Sequence, residues 1–264
     1  MDTGTERVLA RKDGAVGWIT FNNPARRNAM SHDMWQAVPK VLEAYAADPD
    51  IRLVVLTGAG DKAFVSGADI SQFEDQRANQ QANDRYGGLV AGATAALTNF
   101  PKPTLAMIRG FCIGGGLAVA LSCDMRITAD DGRFGIPAAR LGLGYGFDGL
   151  RVLMGVVGPA FAKEIMFTAR QFTAAEALAM GLVNRVVPVA ELEATVADYA
   201  AMIAANAPMT VAASKLAVNE ALKDAGKRDM AAVHAATDAC FNSADYAEGR
   251  AAFMEKRKAV FVGK

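Results

Sequence analysis

Short apolar runs of strand length alternate with segments of helical period along most of this chain, and beyond about Glu191 the strand signals stop. Val8 to Arg11 and Val16 to Phe21 alternate around Asp13-Gly14, the pattern of a hairpin. Ser31 is placed to cap a helix in which Met34, Val38, Val41, Leu42 and Tyr45 recur at helical spacing. Pro39 inside that pattern predicts a kink or a later start. Ile51 to Thr57 reads as a strand closed by Gly58-Ala59-Gly60. A helix is expected after Asp69 and another over about Arg85 to Asn99, where Pro101-Lys102-Pro103 stops it. Thr104 to Ile108 returns as a strand, Gly114 to Ser122 as a small-residue helix, and Asp124 to Ala129 as a further strand. This alternation predicts the α/β class. Farther on, Leu192, Val196, Tyr199 and Ile203 form one helical stripe, which Pro208 breaks. Two more helices are expected, separated near Gly226, the last spanning about Tyr246 to Val260. The organisation expected is a mixed core over residues 1–190 and a helical region over 191–264, with no low-complexity linker and no internal repeat.

Composition narrows the class of function. At 264 residues with 52% apolar content, the chain can bury one large core. Its 28 basic and 28 acidic residues cancel, and no run of like charge offers a nucleic acid or a membrane surface a footing. The first residues are polar, and no apolar stretch approaches the roughly 20 residues of a membrane span. Cys112, Cys123 and Cys240 are few, odd in number and set among apolar residues, as reduced thiols of a cytoplasmic protein would be. With only His32 and His234, and no Cys/His cluster, no metal site is expected.

Three glycine-rich stretches carry candidate chemistry. Gly144-Tyr145-Gly146-Phe147-Asp148-Gly149 fits G-x-G-x-x-G. A dinucleotide site needs a strand directly before it, and Pro137 to Leu143 makes a poor strand, so that reading fails. Nor does Gly-Lys-Ser/Thr follow any glycine cluster, which removes a P-loop. Gly114-Gly115-Gly116 follows a strand and opens a helix, where free N–H groups and the helix dipole favour negative charge. Close helix–sheet packing would ask for the same small residues, and both readings stay open. Phe64-Val65-Ser66-Gly67-Ala68-Asp69-Ile70 is a second strand-to-helix turn, either another set of exposed amides or an Asp-containing helix start. Two such turns suggest paired N–H donors on one anion, an oxyanion hole, in which each donor contributes about 3–4 kcal/mol to a developing charge. A thioester carbonyl becoming an enolate is a suitable guest.

These segments resemble the enoyl-CoA hydratase/isomerase (crotonase) family, and the match runs along nearly the whole chain. Phe64 to Ile70 is similar to the family's Phe-x-x-Gly-Ala-Asp-Ile/Leu segment, and Gly110 to Asp124 to its glycine-rich strand–helix unit. Thr168 to Pro188 and Glu248 to Phe261 are similar to its two later signatures. The resemblance implies a spiral of ββα units with C-terminal helices that trimerise, often as dimers of trimers. It implies oxyanion-hole amides at Ala68 and Gly115. It implies CoA contacts near Arg27-Asn28-Ala29 and Ala68-Asp69-Ile70, with Phe253 and Lys256 reaching the CoA of a neighbouring subunit. CoA would enter as part of an acyl-CoA substrate, with no tightly bound cofactor. For Lys256 a solvated basic helix end is the competing reading.

The resemblance fails at one place. The family's hydratases use two glutamates, one two residues after the glycine triplet and one directly after Phe-Gly-x-Pro. Here those positions are Ala118 and Ala138, and alanine moves no proton. The remaining polar candidates follow Gly142. Tyr145 resembles in its offset a tyrosine of the family's methylmalonyl-CoA decarboxylases, and Asp148 lies near an acid of its isomerases and dehalogenases. Asp148, desolvated among Leu143, Phe147 and Leu150, is the first choice as proton donor and Tyr145 the second. Alternatively Tyr145 lines a pocket wall and Asp148 caps the helix that follows. Asp124 is expected to be a structural hydrogen-bond partner, and Arg140 either holds a substrate carboxylate or faces solvent. The function expected is isomerase, decarboxylase or other lyase chemistry on an acyl-CoA. The alternative is an acyl-CoA-binding protein with little catalysis.

Overall fold

A computed structural model describes residues 1–69 and 80–264. Ten strands are described: β1 (Val8–Asp13), β2 (Val16–Phe21), β3 (Leu53–Gly58), β4 (Ala63–Val65), β5 (Thr104–Ile108), β6 (Phe111–Ile113), β7 (Met125–Ala129), β8 (Arg133–Gly135), β9 (Phe172–Thr173) and β10 (Arg185–Val187). They form two sheets, one ordered β1-β2-β3-β5-β7-β10 and one ordered β4-β6-β8-β9. Only β1–β2 and β8–β9 pair antiparallel. The long strands β3, β5 and β7 go to the first sheet, and each is followed by a three-residue strand in the second. Helices α1 (His32–Ala47), α2 (Gln80–Thr98), α3 (Gly115–Ser122) and α4 (Phe147–Thr168) follow β2, β4, β6 and β8. The repeat is therefore β-β-α, the spiral that the resemblance implies.

The crossing between sheets is made by glycine. Gly110 joins β5 to β6 at φ +61, and an added Cβ would lie 2.1 Å from the Lys62 carbonyl oxygen. Only a residue without a side chain passes there. Strand β5 is buried throughout, as a parallel strand covered on both faces must be. Phe21, Met34, Trp35, Phe64, Phe134 and Phe172 share one core between the two sheets and the helices. Leu53, Val55, Leu105, Met107 and Ile127 pack on the opposite face against Leu192, Val196 and Ala200. Those three belong to α6 (Leu192–Ala204), which comes after α5 (Ala174–Ala179).

Beyond β10 the elements are helical. They are α6, α7 (Pro208–Ala221), α8 (Met230–Phe241) and α9 (Ala244–Glu255). Pro208 does not merely break the stripe of α6: it opens α7, where its missing N–H costs nothing. Three helices rather than two therefore follow Pro208, because Asn242-Ser243 separates α8 from α9, and the last ends at Glu255 rather than near Val260. Pro39 does not bring the later start that was one of its two expected effects. Helix α1 starts at His32 and continues through it to Ala47, with Val38, Val41, Leu42 and Tyr45 buried. Burial of that face outweighs one lost backbone hydrogen bond. Ser31 precedes α1, but its hydroxyl donates to the Asp33 carboxylate instead of capping the backbone. The helix expected after Asp69 falls outside the described residues. Among those that are described, no single helix is long and apolar enough to cross a membrane.

Candidate active site

The two glycine turns are neighbours. Strand β4 runs into Ser66-Gly67-Ala68-Asp69, where Met30 donates its N–H to the Gly67 oxygen (2.8 Å) and accepts from the Asp69 N–H (2.9 Å). This is a single parallel bridge between Met30 and Ala68. In such a bridge the bonds go to the residues flanking Ala68, so its own N–H faces the opposite edge. Strand β6 meanwhile enters Gly114, whose N–H donates to the Gly135 oxygen at 2.8 Å. Gly114 holds φ 54 and ψ −113, and α3 begins at the next residue. The N–H of Gly115 is thus one of the donors that a helix start leaves without an internal partner. Among the described residues, no carbonyl accepts from the N–H of Ala68 or of Gly115. A Cβ built on Gly115 would lie 3.8 Å from the Gly67 carbonyl carbon, so the two turns lie side by side. Gly116 serves a different purpose: its Cβ would meet the Val65 oxygen at 2.1 Å. The triplet thus satisfies both readings, with Gly116 allowing close packing and Gly115 presenting an amide.

Around this pair the expected carboxylates are absent. Ala118 lies on α3, one turn from Gly114, and donates its N–H to the Gly114 oxygen at 3.0 Å. Ala138 is buried in the 3-10 helix Pro137–Leu141 that follows β8. Because β8 pairs with β6, both alanines stand on elements adjoining the Gly114 turn. Tyr145 is half-buried and packs against the main core, with its ring over Gly149, where an added Cβ would lie 2.7 Å from Cε1. Its hydroxyl makes no hydrogen bond within the described residues, and burial raises its pKa, so the phenol keeps its proton at neutral pH. Asp148 departs from expectation. It is exposed in the first turn of α4, with Phe147 beside it 78% exposed, so this chain alone does not desolvate it. It does not cap that helix either, since the cap position is Gly146.

The residues implied for CoA fall in two groups. Arg27 is exposed at φ 51, with its guanidinium 5.0 Å from the Phe111 ring centroid. Ala29 is buried next to the Met30–Ala68 bridge, and Asp69 is buried and paired with Arg26 at 2.8 Å. Arg27, Ala29, Ala68 and Asp69 are therefore brought together, and Ile70 lies outside the described residues. Nothing in the sequence singled out Arg26, and Asn28 stood there only as the middle residue of the Arg27–Ala29 segment. Asn28 is wholly buried, donating to the Ala59 and Ala63 oxygens and accepting from the Asn23 N–H, and so it ties its own loop to the turn after β3 and to the start of β4. A positive φ at a buried non-glycine residue is a structural signal that only coordinates reveal. The second group stands apart on α9. Phe253 is 81% exposed, and Lys256 ends the helix in the left-handed conformation (φ 53), next to Arg257, which Glu248 and Glu255 hold. No hydrogen bond or ion pair among the described residues joins Phe253 or Lys256 to the first group. Asp124 holds a structural position, as expected. It accepts from the N–H and hydroxyl of Thr104 and pairs with Lys215. Arg140 faces solvent.

Comparison with known proteins shows the family and the fold. The enoyl-CoA hydratase/isomerase family profile matches residues 11–264. A short-chain-enoyl-CoA hydratase of Clostridium acetobutylicum is 38% identical over 95% of each chain. A crotonyl-CoA hydratase of Syntrophomonas wolfei is 36% identical over 98% of this chain and 99% of its own. Among solved structures, an enoyl-CoA hydratase/carnithine racemase of Magnetospirillum magneticum superposes with a TM-score of 0.92 at 36% identity, covering 98% of this chain and 97% of its own. An enoyl-CoA hydratase of Bacillus anthracis does so at 0.91 and 29% identity, covering 98% and 100%. The chain belongs to the enoyl-CoA hydratase/isomerase family, with the crotonase fold.

Proposed function

We propose that this protein binds an acyl-CoA and stabilises its thioester enolate with the N–H groups of Ala68 and Gly115. The reading rests on one observation: two main-chain donors with no partner among the described residues, in adjacent turns, with alanine at both positions where a hydratase carries glutamate. When electrons move onto the thioester oxygen, the donors are already aimed and need no rearrangement. Hydration requires in addition a group that activates water and one that protonates the α-carbon. Without both carboxylates, a double-bond shift, a decarboxylation or another lyase step is favoured. A double-bond shift forms the enolate by losing an α-proton to a base and a decarboxylation forms it by losing carbon dioxide; each then returns one proton to carbon. Tyr145 is the first candidate to give that proton, because its hydroxyl has no partner among the described residues and burial keeps it protonated at neutral pH. Asp148 becomes a candidate only where assembly covers the start of α4.

Assembly is part of the proposal. Phe253, Met254 and Val260 are 81%, 80% and 71% exposed, an apolar surface that single chains rarely leave open. Three or six chains per particle, with Phe253 and Lys256 completing the CoA site of an adjoining subunit, would cover it. CoA enters as part of the substrate, and no tightly bound cofactor is needed.

The relatives named for short-chain enoyl-CoA and crotonyl-CoA make crotonyl-CoA the first probe. Its hydration is followed beside a 3-enoyl-CoA and a malonyl-type CoA, in the wild type, Tyr145→Phe and Asp148→Asn. Turnover of one of the latter two, lowered in Tyr145→Phe, is expected. Crotonyl-CoA hydration at an ordinary enzymatic rate, untouched by both substitutions, would refute the reading. Thermal protection by these thioesters with no turnover would point to a binding protein instead.

A further inference from the structure

Helix α2 packs against both α1 and α3 beside the paired amides. At their junction Trp35 of α1 is 1% exposed, and its indole N–H donates to the Tyr86 hydroxyl of α2 at 3.1 Å. The same indole meets the first residue of α3. A Cβ built on Gly115 would lie 3.2 Å from Trp35 Cζ2 and 3.7 Å from Cη2, with the Gly67 carbonyl carbon 3.8 Å away. One rigid ring therefore stands behind the point where the two donor turns lie side by side. Trp35 is also four residues from Ser31, directly after the Met30 that bridges to Ala68, so α1 is tied to both turns. Leucine or methionine would fill such a site adequately, whereas an indole with its N–H engaged has a single orientation. We propose that the Trp35–Tyr86 pair is a positioning device that fixes the distance and direction between the Ala68 and Gly115 N–H groups. This rests on the oxyanion-hole reading above. Neither residue touches the thioester; both act through the backbone of Gly115.

Because small misplacement of reacting groups is costly, loosening the ring should weaken polarisation of the carbonyl far more than it weakens CoA binding. The readout is the carbonyl stretch of bound crotonyl-CoA labelled with carbon-13 at C1, together with the affinity for CoA itself. In the wild type the band should move to lower frequency on binding. Tyr86→Phe removes one hydroxyl and keeps the ring; the band should return most of the way to its free position while CoA affinity stays within about twofold. Trp35→Phe should do the same, and the double variant no more, since both act through one contact. Circular dichroism of the single variants should match the wild type. A band in Tyr86→Phe and Trp35→Phe shifted as far as in the wild type would overturn the positioning role. So would equal losses of CoA affinity and of the shift, which would mark a purely structural contact. No shift in the wild type would instead refute the oxyanion hole itself, so the two failures are distinguishable.

Discussion

Replacing Gly114, Gly115 and Gly116 by alanine one at a time should separate three physical costs along three consecutive residues. At Gly114 the added Cβ has nothing closer than 3.9 Å, so there is room for it. The cost is backbone alone, since φ 54 with ψ −113 is closed to L residues, and about 1–3 kcal/mol is expected. At Gly115 the Cβ comes within 3.2 Å of Trp35 Cζ2, a contact that yields if the indole shifts by a few tenths of an ångström. Alanine also favours the helix by up to about 1 kcal/mol, so the net change in stability should be small. At Gly116 the Cβ would stand 2.1 Å from the Val65 oxygen and 2.8 Å from its carbonyl carbon. Both are buried backbone that cannot rotate away, so α3 must lift off β4. Over-packing of this kind costs typically about 1–3 kcal/mol and more where backbone must move. The expected order of loss is Gly116→Ala, then Gly114→Ala, then Gly115→Ala. Urea unfolding at one fixed chain concentration measures it, with a constant slope as the check that only stability has changed. Turnover should invert the ranking per unit of stability lost, because Gly115→Ala displaces the ring behind the donor. A Gly116→Ala midpoint equal to that of the wild type would show that the close approach of α3 to β4 has been misjudged.

Further outcomes follow from other parts of the fold. Ala68→Pro deletes the N–H itself and should lower turnover by about 10²–10³-fold with CoA affinity retained; unchanged kcat/KM would remove Ala68 from the site. Arg126 is buried and gives its guanidinium hydrogens to the carbonyls of Leu182, Ala120 and Cys123. Arg126→Met leaves those oxygens unpaired and should cost roughly 1–3 kcal/mol, read as a drop in Tm. Burial pushes the Cys123 thiol up to about 12 and the Cys112 thiol higher still, so at pH 8 no more than one thiol per chain, Cys240, should react with a disulfide reagent before unfolding. The Thr173 N–H and Arg170 hold the Glu176 carboxyl down at about 2, against an ordinary 4.5. Its support of α5 is complete above pH 4.5 and is lost as pH falls toward 2, so Glu176→Gln should flatten the acid limb of stability in that window.

What the sequence disclosed followed from the length of each signal. Strand Thr104–Ile108 and helix Gly115–Ser122 stood out because five to eight residues suffice for an apolar run or a glycine start. Strands β4, β6 and β8 have three residues each, too few to show any period, so the whole second sheet was accessible only through resemblance. The oxyanion candidates were legible for the opposite reason: a main-chain donor at a forced turn leaves glycine behind it in the sequence. Asp148 was not legible, because its desolvation depends on what covers Phe147 and Leu143, and no local pattern reports that. The Trp35–Tyr86 contact joins residues 51 positions apart through helix packing, and neither has a spacing that marks it.

The donors proposed at Ala68 and Gly115 are main-chain atoms, and that divides the way this chain can change over descent. A substitution at either codon that keeps the turn leaves the N–H in place. The positions proposed for proton handling are side chains on separate segments, at Ala118 on α3, Ala138 in the 3-10 helix and Tyr145 before α4, and each can be exchanged by a single codon without touching the turns. Activation of the carbonyl is thus inherited with the fold, while the fate of the activated species is rewritten one side chain at a time.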